Sequence, residues 1–152
     1  MCKRCCVTTL RARGRELESE YAFGVVRQLF EGAAASWPAD VFAGPARFAA
    51  ALLGVGADDR GPPAAAESVF PVVHGLYRMT ANAVQRNPLA LIVDDAQWAD
   101  GASLRLLAYL SGRIEEWPIV IVAAVRPGER ADRLRHMLTS NRPLELDRLS
   151  GE

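Results

Sequence analysis

The sequence predicts an α/β fold with a mainly parallel sheet, on three observations. Short apolar runs alternate along the chain with amphipathic stretches of roughly ten to twenty residues, the pattern of βαβ units. The run Leu89–Asp94 stops abruptly on two adjacent carboxylates, Asp94 and Asp95, which is how a buried parallel strand presents oxygen ligands at its carboxyl end. The third observation is Ile119–Val125, a β-branched-rich run without polar interruption that reads as a strand covered on both faces.

In chain order, Cys6–Ala12 is short, partly β-branched and followed by Gly14, which suits a strand running into a loop. Tyr21, Val25, Leu29 and Ala33 recur every four residues, with Phe23, Val26 and Phe30 beside them, so Tyr21–Ala35 reads as an amphipathic helix that Pro38 stops. A shorter helix is expected from about Pro45 to Leu53, and the glycine, aspartate and proline cluster from Gly54 to Pro63 is a loop. Val69, Val73, Leu76, Thr80 and Ala83 hold helical spacing within Glu67–Arg86, with Val72 and Tyr77 widening the stripe. Asn87-Pro88 ends that helix, because a residue before proline disfavours the helical region, and launches the strand Leu89–Asp94. Next comes a helix over about Ala102–Ile114, with Asp100 or Ser103 as its N-cap and Leu104, Leu107 and Leu110 on its apolar side. Trp117-Pro118 punctuates the chain before Ile119–Val125. Beyond the break at Arg126-Pro127-Gly128, a helix is expected over about Arg130–Leu138 and a last short strand over Pro143–Leu146.

Half of the 152 residues are hydrophobic, enough to bury one core, so residues 1–152 are read as a single domain. Net charge is zero. The 18 basic residues are Lys3 and seventeen arginines against 18 acids, and no basic patch marks a nucleic-acid or acidic-membrane surface. Apolar runs fall well short of the roughly 18 residues that cross a bilayer. Met1–Cys6 lacks the long apolar stretch of a secretion signal, so the expectation is a cytoplasmic protein with reduced thiols. Cys2, Cys5 and Cys6 are one ligand short of a closed zinc site, with His74 and His136 far off in sequence, and a plain N-terminus leading into a strand is the simpler reading.

The chemistry concentrates in one βαβ unit. The crossover from Leu89–Asp94 must return Ile119–Val125 parallel to it. Asp94 and Asp95 at the end of one strand and Arg126 at the end of the next then share the carboxyl edge of the sheet, where open α/β folds bind ligands. Two acids and a guanidinium side by side suit a magnesium–triphosphate. Asp94 is the candidate metal ligand, directly or through water, Asp95 the group that orients or deprotonates an attacking water, and Arg126 the two-donor contact to a terminal phosphate. In the competing structural reading the aspartates only cap a turn and the arginine balances them. Trp98 reads as a core anchor more than a stacking surface, and His74 as a satisfied, partly buried histidine. Arg11, Arg13 and Arg15 with Glu16, Glu18 and Glu20 read as a solvated loop and helix start. Such a phosphate site also needs Gly-x-x-x-x-Gly-Lys-Ser/Thr, and no such string occurs in the 152 residues.

Leu-Arg-Ala-Arg-Gly at Leu10–Gly14, Tyr-Ala-Phe-Gly-Val-Val-Arg-Gln-Leu-Phe-Glu at Tyr21–Glu31, His-Gly-Leu-Tyr at His74–Tyr77, Asp-Asp-Ala-Gln-Trp-Ala-Asp at Asp94–Asp100 and Val-Arg-Pro-Gly-Glu at Val125–Glu129 follow one another along the chain. Together they resemble the ATP-binding domain of the large LuxR-type transcriptional regulators. These are signal-transduction ATPases with numerous domains (STAND) within the AAA-like P-loop NTPases. The resemblance covers almost the whole chain, and the ordered string is far more specific than any one motif. It implies a nucleotide switch in which ATP and Mg2+ control assembly of a bacterial regulator. On that carry-over Asp94 is the Walker B magnesium residue, Asp95 the catalytic carboxylate, and Arg126 the sensor at the end of the fourth strand. Gln97 stands where many relatives have histidine.

Relatives of this kind begin with a strand, the phosphate-binding loop and a helix, and end in a lid, helical repeats and a DNA-binding helix-turn-helix. The resemblance therefore implies an N-terminally truncated, partial P-loop NTPase (AAA/ASCE-like) sheet running from strand 2 to strand 5, lacking the first strand and the Walker A loop and without a DNA-binding domain. In that fold the first strand lies between the fourth and fifth. Its loss leaves the strand at Leu144–Leu146 without its native neighbour unless it pairs with Ile119–Val125. Expected partners are ATP and further domains of the parent regulator or a second copy, with no nucleic acid and no membrane. The alternative is a non-catalytic α/β interaction module that kept the fold and lost the chemistry. A phosphoacceptor receiver domain also puts paired acids after a strand, but it needs a lysine and the chain has none after Lys3.

Overall fold

The computed structural model describes residues 6–56, 69–113, 115, 117–128 and 134. Strands β1 (Thr8–Arg13), β2 (Leu89–Asp94) and β3 (Ile119–Ala123) form a parallel sheet in the order β1-β2-β3. Helices α1 (Gly24–Ala34), α2 (Arg47–Leu53), α3 (Phe70–Val84) and α4 (Gly101–Ser111) accompany it. The chain is α/β, a parallel sheet with helices packed on it. The Gly54–Pro63 loop is described only through Gly56. Glu67, Cys2, Cys5, His136 and the expected elements at Arg130–Leu138 and Pro143–Leu146 lie outside the described residues, apart from Leu134, which is buried in the core.

Strand register explains where the core sits. Leu10 is level with Leu91 and Ile121, and Ala12 with Val93 and Ala123. Side chains alternate along a strand with period two, so these six share one face. Leu10, Ala12, Leu91 and Val93 are buried there, with Ile121 and Ala123 packed against them. Val26, Leu29 and Phe30 of α1, Leu76 and Met79 of α3, and Leu106, Leu107 and Leu110 of α4 fill the rest. The other face is more open: Val120 and Val122 are 51% and 48% exposed. This corrects the expectation that β3 is covered on both faces. A run in which every residue is apolar conceals its own alternation, so periodicity could not assign a buried and an open side.

Two helix starts depend on one carboxylate. The helix expected from Tyr21 begins at Gly24, because Phe23 takes a left-handed conformation (φ 63, ψ 20) that interrupts it. Tyr21 is consequently 69% exposed and off the apolar stripe. Asp100, 3% exposed, is the N-cap of α4. Its Oδ1 accepts from the backbone N–H groups of Phe23 (2.8 Å) and Ser103 (2.9 Å), and its Oδ2 from the Val25 N–H (3.3 Å) and the Ser103 hydroxyl (2.6 Å). The same hydroxyl accepts from the Val26 N–H at 3.1 Å. Donors at two helix starts thus converge on one acid.

Elsewhere α3 lies so close to α2 that a Cβ on Gly75 would stand 2.9 Å from the Phe48 Cβ and the Pro45 carbonyl oxygen. His74 departs from expectation. Its Nδ1 is buried with no hydrogen-bond partner, and the ring is instead stacked at 6.0 Å on both Phe70 and Tyr77, so packing and not hydrogen bonding holds it. Cys6 is an exposed free thiol. Among the described residues no helix is long and apolar enough to cross a membrane.

Replacing Asp100 with alanine strips a cap from α4 and leaves buried N–H groups of Phe23, Val25 and Ser103 without an acceptor. The expected loss is about 3 kcal/mol or more in urea denaturation, summing a cap with buried orphan donors. A loss under about 1 kcal/mol, the scale of a single exposed cap, would show that the network does not join the two helices.

Candidate functional site

The end of β2 carries three acids in seven residues, and backbone geometry sends each somewhere different. Asp94, the last residue of β2, is level with Arg13, the last of β1, and both lie on the more open face of the sheet. The Asp94 side chain is 59% exposed. Its Oδ1 accepts the Asp95 N–H at 3.0 Å, and its Oδ2 stands 3.8 Å from Arg13 Nε. Asp95 then enters the left-handed region (φ 47, ψ 42), which aspartate tolerates better than most residues. The turn tucks its side chain to 11% exposure, between the ends of the neighbouring strands.

Both oxygens of Asp95 are taken. Oδ2 accepts from Arg13 Nε (2.9 Å) and Nη2 (2.7 Å). Oδ1 accepts from Gln97 Nε2 (3.2 Å) and lies 3.1 Å from Arg126 Nε. Gln97 also bridges outward, its Oε1 accepting the Arg126 backbone N–H at 3.3 Å. Arg126 is brought here because pairing continues beyond the strands: the Ala124 N–H donates to the Val93 carbonyl and the Ala96 N–H to the Ala124 carbonyl, both at 2.9 Å. The Arg13 hydrogen bond holds the Asp95 carboxyl below the ordinary carboxylate range, helped by Gln97 and opposed by burial, with the charges of Arg126 and Arg13 adding to the lowering. Arg13 is raised in turn by its hydrogen bond to Asp95 and the charges of Asp95 and Asp94.

Gly14 makes the turn possible. Its N–H donates to the Asp94 carbonyl at 2.9 Å, and a Cβ there would overlap the Asp95 carbonyl oxygen and stand 3.0 Å from Ala99 N and Trp98 C. A shallow depression of about 470 Å³ opens beside the turn, with Arg13, Gly14, Asp95 and half-buried Trp98 in its wall.

The structure therefore brings Asp94, Asp95 and Arg126 to one edge. Asp94 presents an open carboxylate, whereas Asp95 is engaged by two guanidinium groups and an amide. Arg13 was assigned from sequence to a solvated loop, and that is corrected. The strand runs one residue past Ala12, and the inward alternation of Leu10 and Ala12 turns Arg13 to the outward face beside Asp94. Arg15 keeps its expected solvated pairing, with Glu18 at 3.2 Å. Gln97, the residue that stands where many relatives have histidine, also has a place, bridging Asp95 and the Arg126 backbone.

Asp94 fits a magnesium ion that keeps its waters and takes its other oxygens from phosphates. Among the described residues no group of three His, Cys, Asp or Glu side chains forms a protein-only cage.

The charged groups gather at the carboxyl edge of an open parallel sheet, the edge at which open α/β folds bind ligands. Residues 2–122 match the model of the AAA ATPase domain, and the chain belongs to that family. Its membership carries a P-loop NTPase-like architecture and implies the use of nucleotide, typically with Mg2+. No curated protein and no solved structure matches the chain.

The depressed Asp95 pKa sets a pH dependence. Because the folded value lies below the unfolded one, this carboxylate stabilises the fold fully above the ordinary pKa of about 4, and that contribution is lost as pH falls through the depressed value. Thermal unfolding followed against pH is expected to show a shallower acid limb below about pH 4 in both Asp95→Asn and Arg13→Gln. An acid limb unchanged in both variants would count against the clamp.

Proposed function

We propose that the chain is part of the ATP-binding switch domain of a bacterial LuxR-type transcriptional regulator of the STAND group, acting in the cytoplasm. The observation that carries this reading is the gathering of Asp94, Asp95 and Arg126 at one sheet edge in a chain of the AAA ATPase domain family. The ordered motifs at Leu10–Gly14, Tyr21–Glu31, His74–Tyr77, Asp94–Asp100 and Val125–Glu129 support the regulator assignment.

In this reading Asp94 holds magnesium directly or through water, bringing the metal against the phosphates. Asp95 orients or deprotonates the attacking water. Arg126, 76% exposed just beyond β3, donates to the terminal phosphate and reports its presence. The Walker A elements, backbone amides and a lysine, come from outside these 152 residues, which contain no Gly-x-x-x-x-Gly-Lys-Ser/Thr. Further domains of the regulator, or a second copy, respond to the switch.

A second reading is favoured by one observation. Both Asp95 oxygens are already engaged by Arg13, Gln97 and Arg126, which is also how a non-catalytic interaction module with a finished ion network would look.

Titration of this chain with labelled ATP separates the two. The switch reading predicts weak binding, outside the low-micromolar range, that strengthens with Mg2+. Asp94→Ala should remove about tenfold of that gain, the scale of one charge-assisted contact. Tight binding without added loop elements contradicts the proposed division of the site. A magnesium effect untouched by Asp94→Ala favours the module.

A further inference from the structure

Away from the Asp94–Asp95 edge, two surfaces of the chain combine exposed rings or leucine with charge, and their charges are opposite. The first is the segment between β1 and α1. Leu17 is 92% exposed and Tyr21 is 69% exposed there, with exposed Glu16 and Glu20 beside them. Glu18 pairs with Arg15, whereas Glu16 and Glu20 make no ion pair among the described residues. The second surface is shared by α3 and α4, two helices that contain no acid. The Tyr77 ring meets His74 at 6.0 Å, Tyr109 at 5.2 Å and Trp117 at 5.2 Å. Each ring is held by a neighbour, so the surface is formed before a partner arrives and loses little side-chain freedom on contact. The Arg113 guanidinium lies 3.8 Å over the Tyr109 ring. Exposed Arg105 stands four residues before Tyr109, on the same side of α4, and neither arginine makes an ion pair among the described residues. Aromatic rings with arginines are the composition that anchors protein interfaces.

The chain has no net charge, so this separation leaves each surface complementary to the other and repelled by itself. A twofold contact through either surface alone would set acid against acid or arginine against arginine. A head-to-tail contact matches them. We propose that the chain associates head to tail with a second copy, the β1–α1 segment of one docking on the α3–α4 face of the next. Leu17 and Tyr21 pack against the ring cluster around Tyr109, and Glu16 and Glu20 meet Arg105 and Arg113. The contact names the surfaces by which a second copy joins the chain and needs no nucleotide, so it can fail while the phosphate-site reading stands.

Sedimentation of the chain over a concentration series, with charge-reversed variants, tests this. The unaltered chain should associate as concentration rises, and less so as salt is added. Glu16→Arg with Glu20→Arg makes the segment basic, and Arg105→Glu with Arg113→Glu makes the face acidic. Either pair alone should weaken self-association about tenfold or more, because like charges then meet. An equimolar mixture of the two variants restores opposite charges at every contact and should associate as the unaltered chain does, as should one chain carrying all four substitutions. A chain that stays monomeric up to about 1 mM overturns the proposal, and so does self-association that either reversed pair leaves intact or that the mixture fails to restore. NMR of the unaltered chain gives a reading that depends on no variant. Raising the concentration should shift signals of Leu17, Glu20 and Tyr21 together with those of Arg105, Tyr109 and Arg113. Movement of one surface alone, or of Val120 and Val122 on the open sheet face in their place, overturns the head-to-tail contact.

Discussion

One residue past β2, Asp95 turns into the left-handed region and directs its carboxylate back between the strand ends. Everything at this edge is arranged around that turn. Arg13 comes from β1, Gln97 from the turn itself, and Arg126 from beyond β3, so one side chain gathers the carboxyl ends of all three strands. The main chain cooperates. Gly14 leaves room for the turn, and the Ala96 and Ala124 N–H groups continue the β2–β3 pairing until Arg126 is within reach. Exposed ion pairs contribute little to stability, but a mostly buried carboxylate with several donors has geometry that an exposed pair lacks.

The three acids of Asp94–Asp100 divide the work by exposure. Asp94 is open, at the strand end, and can meet a ligand. Asp95 is engaged by Arg13, Gln97 and Arg126. Asp100 is buried and structural, capping α4 and receiving N–H groups from the start of α1. Because α1 follows β1 and α4 follows β2, this third acid fixes how two crossover helices sit relative to the edge that the other two acids occupy. An error at Asp100 would therefore reach the site through helix placement and not through charge.

Much of the fold was legible in the sequence. Leu89–Asp94 could be bounded to the residue because Asn87-Pro88 precedes it and the paired acids follow it. The shared edge of Asp94, Asp95 and Arg126 followed from the parallel return of the βαβ crossover. Three features were not legible, for physical reasons. The open side of β3 was masked by an all-apolar run. The late start of α1 depends on a left-handed Phe23 that a distant carboxylate supports, and local propensity carries no record of so long-range a contact. Arg13 looked like one arginine in a charged stretch, and only the register of β1 against β2 distinguishes it from Arg11 and Arg15. Of the candidate site, then, the position of the acids was readable and their partners were not.

For a family built around nucleotide phosphates, this edge combines an available carboxylate, a restrained one and two exposed guanidinium groups. The restraint on Asp95 is the feature from which the rest follows, and its charge state reports it directly. Titration of the Asp95 carboxyl carbon by 13C NMR in the unaltered chain should give a midpoint below that of an ordinary aspartate, rising in Arg13→Gln. A midpoint at or above the ordinary range, indifferent to Arg13, would contradict the account.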